Sequence, residues 1–169
     1  YVGSLNGFRI AKLDSNGIEQ WCGNYLSAGI SEIDIDSFEN IYAVAGAGSS
    51  MYKCAKLSTV DGSLLWSTSL GGKNCSGVLV DNNYVYCSEG TQGEERTVYK
   101  LDQSNANVET PPEVVWEYTT SVYNLRPASL LLDNEDHLYI GAYIYSPVGN
   151  FTYYIEKLDQ SNANVETPP

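Results

Sequence analysis

Apolar residues recur along this chain in short runs, and each run stops at a cluster of Asp, Asn, Gly or Ser. Ile33 to Ile35 and Ile41 to Val44 flank the polar turn Asp36-Ser37-Phe38-Glu39-Asn40, and matching turns follow at Asp81-Asn82-Asn83 and Asp133 to His137. Asp and Asn suit such turns because their side chains bond the local backbone and tolerate left-handed conformations. A third run follows a polar loop, as in Met51 to Leu57, Thr97 to Leu101 and Phe151 to Leu158. A fourth carries a Trp and follows Asp14-Ser15-Asn16-Gly17 or Val60-Asp61-Gly62-Ser63. The Asn-Gly and Asp-Gly pairs predict tight hairpins with positive φ at both central positions. No segment keeps a 3.6-residue apolar period over helical length. The pattern predicts an all-β chain.

Four landmarks return in a fixed order. A Tyr followed closely by Gly stands at Tyr1, Tyr42, Tyr86 and Tyr139; a Lys-Leu pair at Lys12-Leu13, Lys56-Leu57, Lys100-Leu101 and Lys157-Leu158; a Trp at Trp21, Trp66 and Trp116; and an apolar-Asp pair at Ile35-Asp36, Val80-Asp81 and Leu132-Asp133. From Tyr to Tyr the cycles run 41, 44 and 53 residues, which gives repeat units at about 1–41, 42–85, 86–138 and a partial 139–169. Four strands in a unit of this length predict a β-propeller built of four-stranded blades. Propellers close with four or more blades, so the ring is expected to be incomplete within the chain. The 13 residues Lys100 to Pro112 recur without a change as Lys157 to Pro169. Such identity between otherwise diverged units predicts a window on a larger tandem array. Two prolines make the Asn-Val-Glu-Thr-Pro-Pro stretch an expected loop.

Composition narrows the partners. The formal charge is −12, from 21 acidic and 9 basic residues, which argues against nucleic acid and anionic membranes. No apolar stretch approaches the ~18 residues of a membrane-spanning helix, so no membrane insertion is expected. The chain opens at Tyr1 without a leader-like segment, as a processed or excised end would. Cys22, Cys54, Cys75 and Cys87 form no C-x-x-C pair. Their even number suits one or two disulfides in an oxidising compartment, with three complete pairings open. Sequons at Asn74-Cys75-Ser76 and Asn150-Phe151-Thr152, read as loops, point to the same extracellular or cell-surface setting.

The string x-K-L-D-x-x-(N/D)-G-x-x-x-W followed by I-D-I-D-x-x-x-N-I-Y resembles the blades of PQQ-like propellers, the quinoprotein-dehydrogenase-like superfamily, along the whole chain. The resemblance implies that Trp21, Trp66 and Trp116 pack blade against blade. It also implies what quinone chemistry would need: a complete ring, calcium, a catalytic Asp and a disulfide between adjacent cysteines. No two cysteines here are adjacent.

Nothing else supplies a catalytic set. The single His137 lies in a turn, no cysteine has a His near it in sequence, and no nucleophile elbow, P-loop or H-E-x-x-H occurs. Asp34 and Asp36 could form an acid/base pair, yet turn Asp residues recur in every unit. The turns Asp34/Asp36/Glu39/Asn40 and Asp133/Asn134/Glu135/Asp136 offer hard oxygens suited to calcium, without EF-hand spacing. No other cofactor is expected. The sequence therefore predicts a non-enzymatic extracellular structural repeat protein, a propeller segment of a tandem array, filament or surface appendage. Its partners would be copies of itself or further repeats. The alternative is a secreted binding module that recognises a glycan or protein through Tyr143, Tyr145, Tyr153 and Tyr154.

Overall fold

The computed structural model describes residues 2–3, 9–24, 29–47, 53–81, 83–90, 95–120, 125–145, 151–159 and 164–165. All regular structure among them is β. Blade 1 is a three-stranded meander of β1 (Val2–Gly3), β2 (Arg9–Leu13) and β3 (Glu19–Asn24). Blade 2 runs β4 (Gly29–Ile35), β5 (Ile41–Ala47), β6 (Lys53–Leu57) and β7 (Leu64–Ser69). Blade 3 runs β8 (Cys75–Val80), β9 (Tyr84–Glu89), β10 (Thr97–Asp102) and β11 (Glu113–Thr119). Blade 4 runs β12 (Leu125–Leu132), β13 (His137–Tyr145), β14 (Phe151–Asp159) and β15 (Asn164–Val165). Every pairing is antiparallel between sequence neighbours. Each four-stranded sheet starts on the strand carrying the apolar-Asp pair, so the sheets are phased differently from a count that begins at Tyr.

The sheets stack face to face, and each sheet has two unlike faces. Alternation along a strand sends neighbouring side chains to opposite sides. In blade 2, Tyr42, Val44, Cys54 and Trp66 pack against Val78, Val85, Cys87, Tyr99 and Leu101 of blade 3. Its other side, Ile41, Ala43, Ala45, Ala55 and Leu57, receives Ile10 and Trp21 of blade 1. Blade 3 repeats the scheme, setting Tyr86, Val98 and Trp116 against Leu138, Ile140 and Leu158 of blade 4. The Lys-Leu landmark is thereby explained: Lys and Leu serve opposite interfaces. Each fully buried side chain of Leu or Val size adds roughly 1.5–3 kcal/mol.

The first strands of successive blades are joined by carboxylates. β8 lies between β4 and β12. Its outward amides would be an open edge, but Glu32 Oε2 accepts from Val78 N and Asp34 Oδ2 from Val80 N, each at 2.8 Å. Buried backbone donors need such partners.

Two expectations about turns are corrected. The Asn-Gly and Asp-Gly loops are not two-residue hairpins with paired positive φ; among the residues of those loops only Gly17 (φ 80°) and Gly62 (φ 72°) are left-handed. Asp14 Oδ1 accepts from Asn16 N and Ile18 N, and Gly17 N closes a turn onto Asp14 O. The longer loop gives the Asp carboxylate two amides to hold, which a two-residue turn does not offer. The turns at Asp36 and Asp133 copy it, with Glu39 and Asp136 (both φ 65°) in the glycine's place. Second, the duplicated segment is a loop across residues 103–112, but in its second copy Asn164–Val165 pairs with Leu158–Asp159 as β15. In the first copy that edge is taken by Glu113 and Val114 of β11. An identical sequence takes two structures because the neighbouring edge is filled in one place and open in the other.

Gly17→Ala tests the turn reading. Nothing lies within 4 Å of where its Cβ would stand, so the whole cost is left-handed backbone. We expect a loss of about 1–2 kcal/mol in urea unfolding. Glu39→Gly should move the other way, by about 0.5 kcal/mol.

Candidate functional site

Three of the four landmarks meet in space. In blade 2 the Tyr42 hydroxyl lies 2.9 Å from Asp36 Oδ2 and 2.6 Å from Gln103 Oε1 of blade 3, one proton shared between two acceptors. Lys56 Nζ donates to Gln103 Oε1 at 3.0 Å and pairs with Asp36 at 3.5 Å. Asn40 bonds both Asp36 oxygens through its side chain, and its amide reaches Oδ1. Burial pushes the Asp36 carboxyl up, but the bonds from Asn40 and Tyr42 and the Lys56 charge outweigh it and hold it below the usual range. Burial pushes the Tyr42 hydroxyl up, and Asp36 adds to that. Burial also lowers Lys56, against the pull of Asp36.

The triad recurs and loosens along the stack. In blade 3 the Tyr86 hydroxyl donates to Asp81 Oδ2 at 3.2 Å, while Lys100 Nζ sits 3.9 Å above the Tyr84 ring. In blade 4 Tyr139 donates to Asp133 Oδ2 at 3.1 Å, and Lys157 lies 5.9 Å from the centre of the Tyr139 ring. Asp133 is held at about 2, foremost by the amide of His137. Sequence reading found each landmark but not their union. The signal was present: the Asp-to-Tyr steps are six, five and six residues, and Tyr-to-Lys is 14 in two of the three units.

Asp34 and Asp36, which the sequence reads as turn residues rather than an acid/base pair, are occupied by internal donors. Asp34 accepts from Ile35 N and Val80 N, and Asp36 is fully engaged, so neither is arranged as an acid/base pair. The same bonds occupy the oxygens that calcium would need at the first turn. Asp133, Glu135 and His137 each bring a ligand atom within 4.8 Å of the others, but Asp133 already accepts from the Glu135 and His137 amides, the His137 ring and Tyr139. A cleft between blades 3 and 4 is lined by Lys100 and Tyr84 together with Asp81, Asn83, Glu135, Asp136 and Asp159.

The expected disulfides are not formed: all four cysteines are free thiols. Cys22 is exposed on blade 1, away from the buried Cys54, Cys75 and Cys87. Those three fill the blade 2–3 interface as small apolar groups. Burial raises the Cys75 and Cys87 thiols, and Cys87 is hydrogen-bonded to Cys54. The Asn74 sequon straddles the end of a loop and the start of a strand: Asn74 is half-buried just before β8, its carbonyl accepts from Gly90 N, and Cys75 and Ser76 are strand residues. Asn150 lies outside the described residues, as does the side chain of Tyr145. Trp21, Trp66 and Trp116 each stand in a different blade interface, and Trp66 meets Tyr42 edge-on at 6.0 Å.

Sequence gave no hint of Glu89. It is buried, accepts from the Tyr99 hydroxyl at 2.8 Å, and keeps Oε2 without a partner. Gly71 closes over it: a Cβ there would meet Glu89 Oε1 and the Tyr99 hydroxyl. Burial raises its carboxyl, and the bonds from Tyr99 and Lys73 only partly offset this.

Two outcomes follow. Tyr42→Phe should cost about 1–2 kcal/mol in urea unfolding, because Asp36 loses a donor in a buried site, whereas Tyr139→Phe in the open copy should change little. For Glu89 the folded carboxyl lies above its unfolded value, so its stabilising contribution is complete below about pH 4.5 and is lost as pH rises through the folded value. Glu89→Gln should therefore gain stability over the native chain between pH 4 and pH 7; parallel pH profiles of the two melting curves would contradict this.

No family model matches the chain, and no curated protein matches it. The fold is similar to that of BamB from Moraxella catarrhalis, a β-propeller, with a TM-score of 0.65 and 18% identity. The match covers 96% of this chain and 42% of that one, so the chain spans less than half the length of the protein it resembles. The chain is an all-β, propeller-type stack of antiparallel sheets, a partial ring beside BamB.

Proposed function

We propose that this chain is a non-enzymatic, protein-binding propeller segment that works by blade-to-blade contact, as a structural unit of an extracellular repeat array. One observation carries the reading. The repeated Asp, Tyr, Lys and Trp side chains, which could serve chemistry, are turned to partners inside and between blades, while the last sheet leaves a large apolar face uncovered. Leu131 (62% exposed), Tyr153 (81%) and Ile155 (75%) lie on that face of blade 4. Apolar patches of this kind mark sites of association. The duplicated 13 residues support an array, and the net charge of −12 suits a solvated surface.

A second reading keeps the same face and changes the ligand. Tyr153, cross-strand from Tyr143, offers an aromatic surface on which a sugar could stack. Negative-stain microscopy of the full polypeptide distinguishes the two. Long regular assemblies are expected for an array; discrete particles that bind a glycan array, and lose binding in Tyr153→Ala, would replace it with the second reading.

A further inference from the structure

Consecutive strands of each four-stranded blade are antiparallel neighbours, so the turn from first to second strand and the turn from third to fourth fall at the same end of the blade. In blade 1 the matching turn joins β2 to β3. The stack sets these ends on one side. Glu32 and Asp34 of β4 hold Val78 and Val80 of β8, so the two first strands run in the same direction. Lys12 and Trp21 of blade 1 donate to Thr59 O in a blade 2 turn, and Tyr42 and Lys56 of blade 2 reach Gln103 in a blade 3 loop. The cleft beside Lys100 joins the turns of blades 3 and 4. The turns form one surface across all four blades.

That surface is sorted by charge. Segments 14–18, 36–40, 58–63, 81–83, 102–112 and 133–136, together with Asp159, carry 11 of the 21 acidic residues and no Lys or Arg. Arg9, Lys53, Lys73, Arg96 and Arg126 belong to the opposite end of the strands. The other four basic residues are the repeated lysines, turned onto a carbonyl, a carboxylate or a tyrosine ring.

The same surface carries apolar side chains. Outside blade 4, the four most exposed large apolar residues among those described are Val60 (86%), Phe38 (75%), Val108 (69%) and Ile18 (60%), and all four stand on these turns. Phe38, Val60 and Val108 belong to blades 2 and 3, which already have a neighbour on each side, so a further blade at either end of the stack would not lie over them. Their backbone is fixed. Asp14 Oδ1 accepts from Ile18 N, Asp36 Oδ1 from Phe38 N and Ser58 Oγ from Val60 N, while Asn107 Oδ1 accepts from the two amides after Val108. Side chains held on ordered turns lose little freedom when a partner covers them.

We propose that this turn surface binds a cationic polypeptide segment with apolar side chains interspersed among its Lys and Arg. The site goes beyond the blade-contact reading, since no stacking face takes part in it. Phe38, Val60 and Val108 supply apolar contact, and the surrounding carboxylates attract cationic partners and repel anionic ones. In the cleft between blades 3 and 4, Asp81, Glu135, Asp136 and Asp159 set four carboxylates against the one ammonium of Lys100, a setting suited to an incoming guanidinium. Stacked sheets lie about 10 Å apart, so an extended segment of about six residues reaches from the turns of blade 2 to those of blade 4.

Fluorescence anisotropy on the 169-residue chain tests this, with labelled peptides of about 12 residues built as repeats of Arg-Ser-Leu-Ser, which put Arg and Leu on one side of an extended backbone. At about 0.15 M salt this peptide should bind in the micromolar range, about tenfold tighter than a version with Ser for Leu, and a version with Glu for Arg should not bind. Phe38→Ser combined with Val60→Ser should weaken binding about tenfold without changing urea unfolding, because both side chains are exposed. Glu109→Lys should weaken it severalfold, whereas Glu95→Lys, the same change of charge at the opposite end, should leave it unchanged. An Arg-Leu peptide that binds no better than its Leu-free or Glu counterpart overturns the proposal, as does equal weakening by Glu109→Lys and Glu95→Lys. Binding lost in Ile155→Ser but kept in the Phe38 and Val60 double variant would move the site to the blade 4 face and overturn it equally.

Discussion

Every blade of this protein must hide two different faces, and it does so by meeting a neighbour whose faces are matched in the opposite sense. One face carries the repeated Tyr, Lys and, in the first three blades, Trp, and the other is smooth and aliphatic, as Ala43, Ala55 and Leu57 are in blade 2. A sheet with one wet side could stand alone on a core. A sheet with two dry sides needs a neighbour on each side. The stacking of blades is therefore the condition for any of them to be stable, and the exposed residues at either end of the stack follow directly from it.

Polar groups enter this dry interface under control. Asp36, Tyr42, Lys56 and Gln103 satisfy one another across the blade 2–3 boundary. A charged pair buried in this way adds little net stability over an apolar pair, but it fixes register, because a sheet shifted by one residue would leave each member unsatisfied. Glu32 and Asp34 do similar work for the amides of β8. The gradient from the closed network of blade 2 to the open one of blade 4 tracks burial. Each triad lysine lies near a tyrosine ring of its own blade, and in blade 2 Lys56 also reaches Gln103 of the next blade.

Carboxylates, phenols, thiols and an ammonium stand close together, as they would in an active site. Their protons and lone pairs are largely committed to turns, strand edges and neighbouring blades. Glu89 and Glu156 are buried acids that each keep one oxygen unpartnered, and Glu89 sits in the same blade 2–3 interface as the three buried thiols.

The sequence alone determined the all-β class, the four-stranded unit and the incomplete stack, because strand alternation and turn residues act locally and recur with a period. It also marked Asp36, Tyr42, Lys56 and Trp66 as equivalent to their counterparts, since repetition needs no coordinates to be seen. What those residues touch was decided by tertiary structure. The pairing of Lys56 with Gln103 joins positions 47 residues apart, and nothing local encodes it. Cysteine count suggested disulfides, yet the stack sends Cys22 to solvent and buries the other three as free thiols. The duplicated segment makes the point most directly: its Asn-Val pair lies in a loop at 107–108 and forms a strand at Asn164–Val165, because backbone amides bond to whatever edge the surrounding sheet leaves open.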